Sequence, residues 1–434
     1  MRRRAALASP SGGLLLATLA GGLQALSIAW PGTGQAHGWL QVGSLALLAF
    51  SLCRLAVSGR PLRAALVGAA RRSGVFAVAW LAGTFWWLHV SMHQVGGLPA
   101  PLSVAAVLLL ATALGLYYVG AATVWVALVR LARWDLRPMA ASVLFAALWL
   151  LAELMRGQWF TGFPWGAVGY AHVESALAPA APWVGVYGLS ALAAAGAMRL
   201  AWPQARVWGV LSLLLVLALL RALPDNEQLT QSAGSAEVEL LQANIGQSEK
   251  FDPQHGMREA LQWYGQRLLA SEQPLVIAPE TALPLLPRHL PEGYWATLQR
   301  HYASGERLAL VGMPWGDAAQ GYTNAVVALA PEGRAPYRYD KHHLVPFGEF
   351  VPSGFAWFVR QMQIPLGDFA RGRLRQPAVD WQGQRLAPNI CYEDLFGEEL
   401  AASFGPGQAA PTAMVNVSNI AWFGDTVAVD RKST

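Results

Sequence analysis

Along the first half of the chain, long apolar runs alternate with short segments that carry arginine; along the second half, apolar runs shrink to a few residues between polar turns. Seven runs approach the roughly 17–25 residues that cross a bilayer as helix. They lie near Leu14–Trp30, Leu40–Val57, Val75–Val90, Leu102–Val129, Ala140–Met155, Pro182–Met198 and Val207–Leu223. Asp225 to Gly234 is polar and turn-rich and reads as a linker. Strand-like runs follow at Glu237–Gln242, Leu275–Ala278, Leu308–Gly312, Ala325–Leu329, Leu386–Ile390 and Ala413–Val417. Between the first two, Met257, Leu261, Tyr264 and Leu268 repeat at helical spacing, with Asp252 as cap and Pro253 at the first position. Short strands alternating with amphipathic helices predict an α/β layered domain. The expected division is a membrane domain of about seven helices over 1–223, a linker over 224–235 and a second domain over 236–434.

Arginine placement orients the bundle. Arg2, Arg3, Arg4, Arg54, Arg60, Arg63, Arg71, Arg72, Arg130, Arg133, Arg137, Arg199 and Arg206 fall at one set of alternate loops, and only Arg156 at the other. By the positive-inside rule the amino terminus is cytoplasmic, and seven crossings put everything after Leu223 outside the cytoplasm. Arg2–Arg4 before an apolar run also fits a cleaved signal, but six further runs favour a retained anchor. Trp30, Trp39, Trp86, Trp87 and Trp202 stand near span ends, as an aromatic belt would.

Composition agrees. Charged residues are 13% of the 434, against roughly 25% in soluble domains, and the mean hydropathy is +0.32. The net charge of +5 and pI near 9.4 invite a nucleic-acid reading. Its distribution opposes that. Before Ala222, fifteen arginines face three acids, a net +12; after it, sixteen bases face 23 acids, a net −7. The basic excess sits between apolar runs, where it orients helices. Two cysteines make neither a disulfide framework nor a four-thiolate zinc site.

Polar residues just beyond apolar strands carry the candidate chemistry. Pro274-Leu-Val-Ile-Ala-Pro-Glu280 delivers a carboxylate, and Leu386-Ala-Pro-Asn-Ile-Cys391 a thiol, followed by Tyr392, Glu393 and Asp394. Between them stands Lys341, one of three lysines in a chain that otherwise uses arginine, which suggests a task for an ammonium. Taken singly, each has a plainer reading: Cys391 as a packed small hydrophobe, Glu280 as a helix cap, Lys341 as a surface residue. Cys53, inside a span, keeps that plainer reading. His342 and His343 are adjacent and point different ways with no third ligand near, and no zinc-hydrolase helix or phosphate-cradling loop is present. In the membrane half, Glu153 and Arg156 share a helical face at a span end and could pair. The loop Thr161-Gly-Phe-Pro-Trp-Gly166 reads as interfacial and re-entrant, while His89, His93 and His172 read as plain polar contacts.

Together these segments resemble a family. Pro279-Glu280, Asp340-Lys341 and Asn389-Ile-Cys391-Tyr-Glu393 look like the Glu–Lys–Cys signature of the nitrilase, or carbon–nitrogen hydrolase, superfamily. His342-His-Leu-Val-Pro-Phe-Gly-Glu349, Ser418-Asn-Ile-Ala-Trp-Phe-Gly424 and Glu153-Leu-Met-Arg156 with Thr161-Gly-Phe-Pro-Trp165 resemble the apolipoprotein N-acyltransferases. The resemblance implies a multi-span α-helical bundle followed by a nitrilase-like αββα sandwich. It implies Cys391 as nucleophile, Glu280 as general base and Lys341 as oxyanion partner, with Glu349, Tyr392 and Glu393 supporting. It implies a phospholipid acyl donor, a diacylglyceryl-modified apolipoprotein acceptor, an inner-membrane location with the catalytic domain in the periplasm, and no cofactor or metal. The family continues past its Trp-Phe-Gly-Asp motif with further sandwich elements and a last span, whereas this chain ends at Arg431-Lys-Ser-Thr434. The expectation is a domain incomplete at its C-terminal end. A membrane-tethered amidase and an inactive truncated product are the alternatives.

Overall fold

A computed structural model of the protein describes residues 10–134, 137–202, 206–224, 229–246, 255–352, 354, 368–407, 409–424 and 426. The chain forms two compact units. Of the described residues, the first takes in those up to His89, Pro99–Gln231 and Thr426; the second takes in those of Val90–Leu98 and from Ser232 to Gly424.

The first unit is helical: α1 (Pro10–Ile28), α2 (Gly38–Ala56), α3 (Leu62–Thr84), α4 (Ala100–Leu131), α5 (Pro138–Gln158), α6 (Ala181–Ala201) and α7 (Arg206–Leu220). Lipid offers no hydrophobic drive between helices, so small residues that permit close approach set the packing. Ala17, Ala20, Ala49, Ala65, Ala69, Ala77 and Ala111 are buried accordingly. Around them lies an aromatic cluster, with Tyr118 centred 4.9 Å from Trp80 and 4.8 Å from Trp149. Polar side chains bridge helices: Ser44 donates to the Ala20 carbonyl at 2.7 Å and Trp125 to the Ala141 carbonyl at 2.8 Å.

Two sequence expectations change here. The helix expected over Val75–Val90 runs over Leu62–Thr84. Arg63, Arg71 and Arg72 interrupt the apolar run but not the helix, because buried Arg72 donates to the Ser51 carbonyl and hydroxyl at 2.9 and 3.0 Å. Among the described residues, six helices, α1 to α6, are long and apolar enough to cross a membrane. The seventh, α7, has 15 residues, about 22 Å of helix. Trp30, Trp39 and Trp86 are exposed as a belt requires, whereas Trp87 and Trp202 are buried, Trp202 edge-on to Trp125.

The second unit holds two sheets. In the first, β1 (Val238–Leu240), β2 (Leu275–Ala278) and β3 (Leu308–Asp317) are parallel neighbours, and β4 (Gly321–Leu329) and β5 (Arg338–Asp340) extend the sheet antiparallel. In the second, β7 (Gln384–Ile390) lies antiparallel to β6 (Val379–Trp381) and parallel to β8 (Ala413–Val417). Helices α8 (Gly256–Ala270) and α9 (Tyr294–Ala303) cover one face of the larger sheet. Leu261, Tyr264 and Leu268 of α8 and Leu298 and Tyr302 of α9 pack there against Val276, Ala278, Ala309, Val311 and Met313. The alternate positions Leu275, Ile277, Leu308 and Leu310 are buried too. Strands covered on both faces read as continuous apolar runs, and β4 of one sheet meets β7 of the other. Asp252, Pro253 and the aromatic run Phe355-Ala-Trp-Phe358 lie outside the described residues.

Candidate active site

Three strand ends of the second unit converge. β2 ends at Ala278 and Pro279-Glu280 follows, with Glu280 only 6% exposed. Thr281 then takes a φ of +50°, so the chain turns sharply. Gly312 on β3 makes room for that turn: a Cβ there would stand 2.2 Å from the Pro279 carbonyl oxygen. β5 ends at Asp340 and delivers Lys341, whose side chain is wholly buried. β7 ends at Ile390 and delivers Cys391, 8% exposed, at a φ of +57°. A left-handed conformation at a residue with a side chain costs about 1–3 kcal/mol, and such strain gathers at functional sites.

Lys341 Nζ lies 2.9 Å from both Glu349 oxygens and 3.4 Å from Glu280 Oε1. One amide joins the two carboxylates: Asn324 Nδ2 donates to Glu280 Oε1 and to Glu349 Oε1, at 2.8 Å each. The other oxygens are held from the backbone, Glu280 Oε2 by the Asn419 N–H at 2.9 Å and Glu349 Oε2 by the Val345 N–H at 2.8 Å. Burial works against the Lys341 charge, yet Glu349, Glu280 and Cys391 outweigh it and hold its pKa well above the usual lysine range. Buried charges persist only when paired and hydrogen-bonded in this way.

Glu393 has a different part. Its carboxylate accepts from the Ile390, His342 and His343 N–H groups at 2.6, 2.7 and 3.0 Å and from the Tyr339 hydroxyl at 2.9 Å. Burial pushes this carboxyl up, while the Ile390 and His343 N–H groups, the Lys341 ammonium and the His342 N–H pull it down. It clamps the turn after β7 to the loop after β5. Tyr392 is fully buried against Phe396 and His343, 5.0 and 5.6 Å between ring centroids. Asn416 of β8 donates to the Cys391 carbonyl at 3.1 Å.

The expected site residues thus fall into three groups. Lys341 pairs with both Glu280 and Glu349, Cys391 as thiolate is one of the charges that raise the Lys341 pKa, and Glu393 and Tyr392 hold the turn that carries the thiol. Asn324 was not foreseen, although an asparagine inside the apolar strand Gly321–Leu329 is a signal, since strands are poor in asparagine. His342 and His343 diverge: one Nδ1 meets the Gly372 carbonyl at 2.8 Å, the other the Glu399 carboxylate at 2.9 Å. Among the described residues no group of three histidine, cysteine or acidic side chains is placed to hold a metal. Cys53 is buried beside Met198, sulfur to sulfur 3.5 Å.

The first unit has its own buried polar group. Arg156 lies 3.6 Å from Glu153, both side chains inaccessible. Glu153 also accepts from the Tyr118 hydroxyl at 2.5 Å and the Val168 N–H at 3.2 Å. Arg156 donates to the Phe163 and Trp165 carbonyls at 2.8 and 2.6 Å, fixing the loop expected to be interfacial. Phe160 in that loop is 90% exposed. His89, His93 and His172 make polar contacts, with Ser103, the Leu98 carbonyl, and Gln41 with Ser175.

A mixed-sheet domain with glutamate, lysine and cysteine at buried strand ends, continuous with an apolar helical bundle, defines a membrane protein of the carbon–nitrogen hydrolase class. Residues 238–431 match the family described as Carbon-nitrogen hydrolase, and residues 20–199 match the Apolipoprotein N-acyltransferase N-terminal domain. The Apolipoprotein N-acyltransferase of Verminephrobacter eiseniae (strain EF01-2) is 52% identical over 433 residues, covering 96% of this chain and 78% of that one. That of Ralstonia nicotianae (strain ATCC BAA-1114 / GMI1000) is 43% identical over 397 residues, covering 91% and 74%. A solved carbon-nitrogen hydrolase from Helicobacter pylori G27 aligns at a TM-score of 0.27 and 14% identity, over 37% of this chain and 55% of that one. The chain belongs to the apolipoprotein N-acyltransferase family.

Proposed function

We propose that the protein moves a fatty acyl chain from a phospholipid, through a thioester on Cys391, to the α-amine of a diacylglyceryl-cysteine at an apolipoprotein's amino terminus. The observation that carries this reading is the buried Glu280–Lys341–Glu349 cluster at the same strand ends as Cys391. Glu280 takes the Sγ proton, and the thiolate adds to the ester carbonyl. The new oxyanion forms beside the Lys341 ammonium, a stabilisation often worth about 3–4 kcal/mol. Collapse breaks the ester C–O bond, and the lysophospholipid leaves with the proton from Glu280. In the second half the amine adds to the thioester, Glu280 takes the ammonium proton, the C–S bond breaks to leave an amide, and the proton returns from Glu280 to the departing Cys391 Sγ. Glu349 keeps Lys341 charged and aimed. No cofactor or metal enters the scheme. Both substrates are lipids, so the reading places the protein in the inner membrane with the catalytic domain on the periplasmic side.

Labelled phospholipid without acceptor should leave a long-lived label on Cys391, and a diacylglyceryl lipopeptide should discharge it as amide. Cys391→Ser should carry no label, because an alcohol is far less ionised than a thiol. Lys341→Arg should fail too, since a planar guanidinium is a poor substitute at a crowded oxyanion site. Rapid release of free fatty acid, indifferent to lipopeptide, would favour an amidase-like hydrolase instead.

A further inference from the structure

The second unit contains a segment remote from it in sequence, Val90–Leu98, which links α3 to α4. Residues Ser91–Val95 form a π-turn, a feature that often marks functional sites. The segment is closed on itself: Gly96 N–H donates to the Ser91 carbonyl and Leu98 N–H to the Met92 carbonyl at 2.9 Å each, and His93 Nδ1 meets the Leu98 carbonyl at 2.8 Å. It lies beside the 3-10 turn Ile420–Phe423. Gly424 ends that turn at φ +59°, ψ −164°, a conformation essentially reserved for glycine. Val90 packs over it, with Cγ1 3.3 Å from where a Cβ on Gly424 would stand. At the other end of the same turn, Asn419 Oδ1 accepts from the Ala421 N–H at 3.3 Å, and the Asn419 N–H holds Glu280 Oε2 at 2.9 Å.

We propose that Val90 and the Ser91–Val95 turn brace residues 419–424, and through the Asn419 N–H position the Glu280 carboxylate that takes the thiol proton. The proposal rests on the reading of Glu280 as general base. Glu280 Oε1 is fixed by Asn324 and Lys341, and the Asn419 N–H on Oε2 helps set how the carboxylate plane is turned. Val90 is a positioning residue that touches no substrate.

The test is a double-mutant cycle on full-length protein, reading acyl label on Cys391 from labelled phospholipid. Val90→Ala should slow acylation at saturating donor by about 5- to 20-fold, leaving the half-saturating concentration and the final label amplitude unchanged. Val90→Ile should act as wild type. Asn419→Ala should slow acylation similarly, and the double variant should be no slower than Asn419→Ala alone, because both act by one route. A wild-type rate in Val90→Ala, or strictly additive losses, overturns the brace. Glu280→Gln is measured beside them. If it acylates as wild type, the reading of Glu280 as base falls; if it is inert while Val90→Ala is unaffected, only the brace falls.

Discussion

Asn324 shows how one neutral side chain organises a charged site. Its single NH2 group serves two carboxylates that would otherwise repel each other across a buried space. Asn324→Ala should lower the acylation rate about 10- to 100-fold, the range expected when charged groups lose a hydrogen bond, with the protein still inserted and folded; single-turnover labelling checks this. Lys341 makes a second prediction. Its folded pKa is raised, so the stabilisation it contributes is complete below the unfolded lysine value of about 10.4 and is lost only as the pH climbs through the higher folded value. The pH–rate profile of acylation should therefore show no lysine limb up to about pH 10. A falling limb near 9 would contradict the pairing with Glu349 and Glu280.

Among the elements, the β2–β3 pair decides where the base stands. Gly312→Ala would push a Cβ into the Pro279 carbonyl, so the strands must part or the turn must move, at about 1–3 kcal/mol for an overpacked core. The expected result is a lowered melting temperature together with slowed acylation. A variant with normal stability and a normal rate would show that the turn has slack. The same elements explain what the sequence makes legible. β2 and β8 fall within the bounds their apolar runs suggest, because both are flanked by turn formers. β5 and β6 carry no such run: Arg338-Tyr339-Asp340 and Val379-Asp380-Trp381 are three residues each, fixed by sheet pairing rather than by composition. The start of α3 is not legible in the hydropathy because Arg63, Arg71 and Arg72 break the apolar run, and the Arg72–Ser51 contact that accommodates one of them exists only in the fold. At the site, Glu280 and Cys391 are legible because each stands at the end of an apolar strand run, and Lys341 because lysine is rare in this chain. Asn324 is not, because its partners stand 44 and 25 residues away and meet it only through the fold.

For the molecule as a whole, orientation turns on α7. Arg199 precedes it, Arg206 opens it and the mildly acidic second unit follows, so the charge pattern favours a seventh crossing. A reporter active only outside the cytoplasm, fused at Gly234, should be active; activity from a cytoplasmic reporter instead would reverse the assignment of the catalytic domain. The helices also differ greatly in length. α4 has 32 residues, about 48 Å, and α7 has 15, about 22 Å, against a hydrocarbon core of about 30 Å. No single bilayer thickness suits both. With α7 as a seventh crossing, α4 would have to lean or protrude while the leaflets pinched inward at α7, at a cost that rises with every ångström of mismatch. Lipid tail length then becomes a control on this protein separate from tail chemistry. Host membranes with longer chains should disfavour α7 insertion before they affect any other helix.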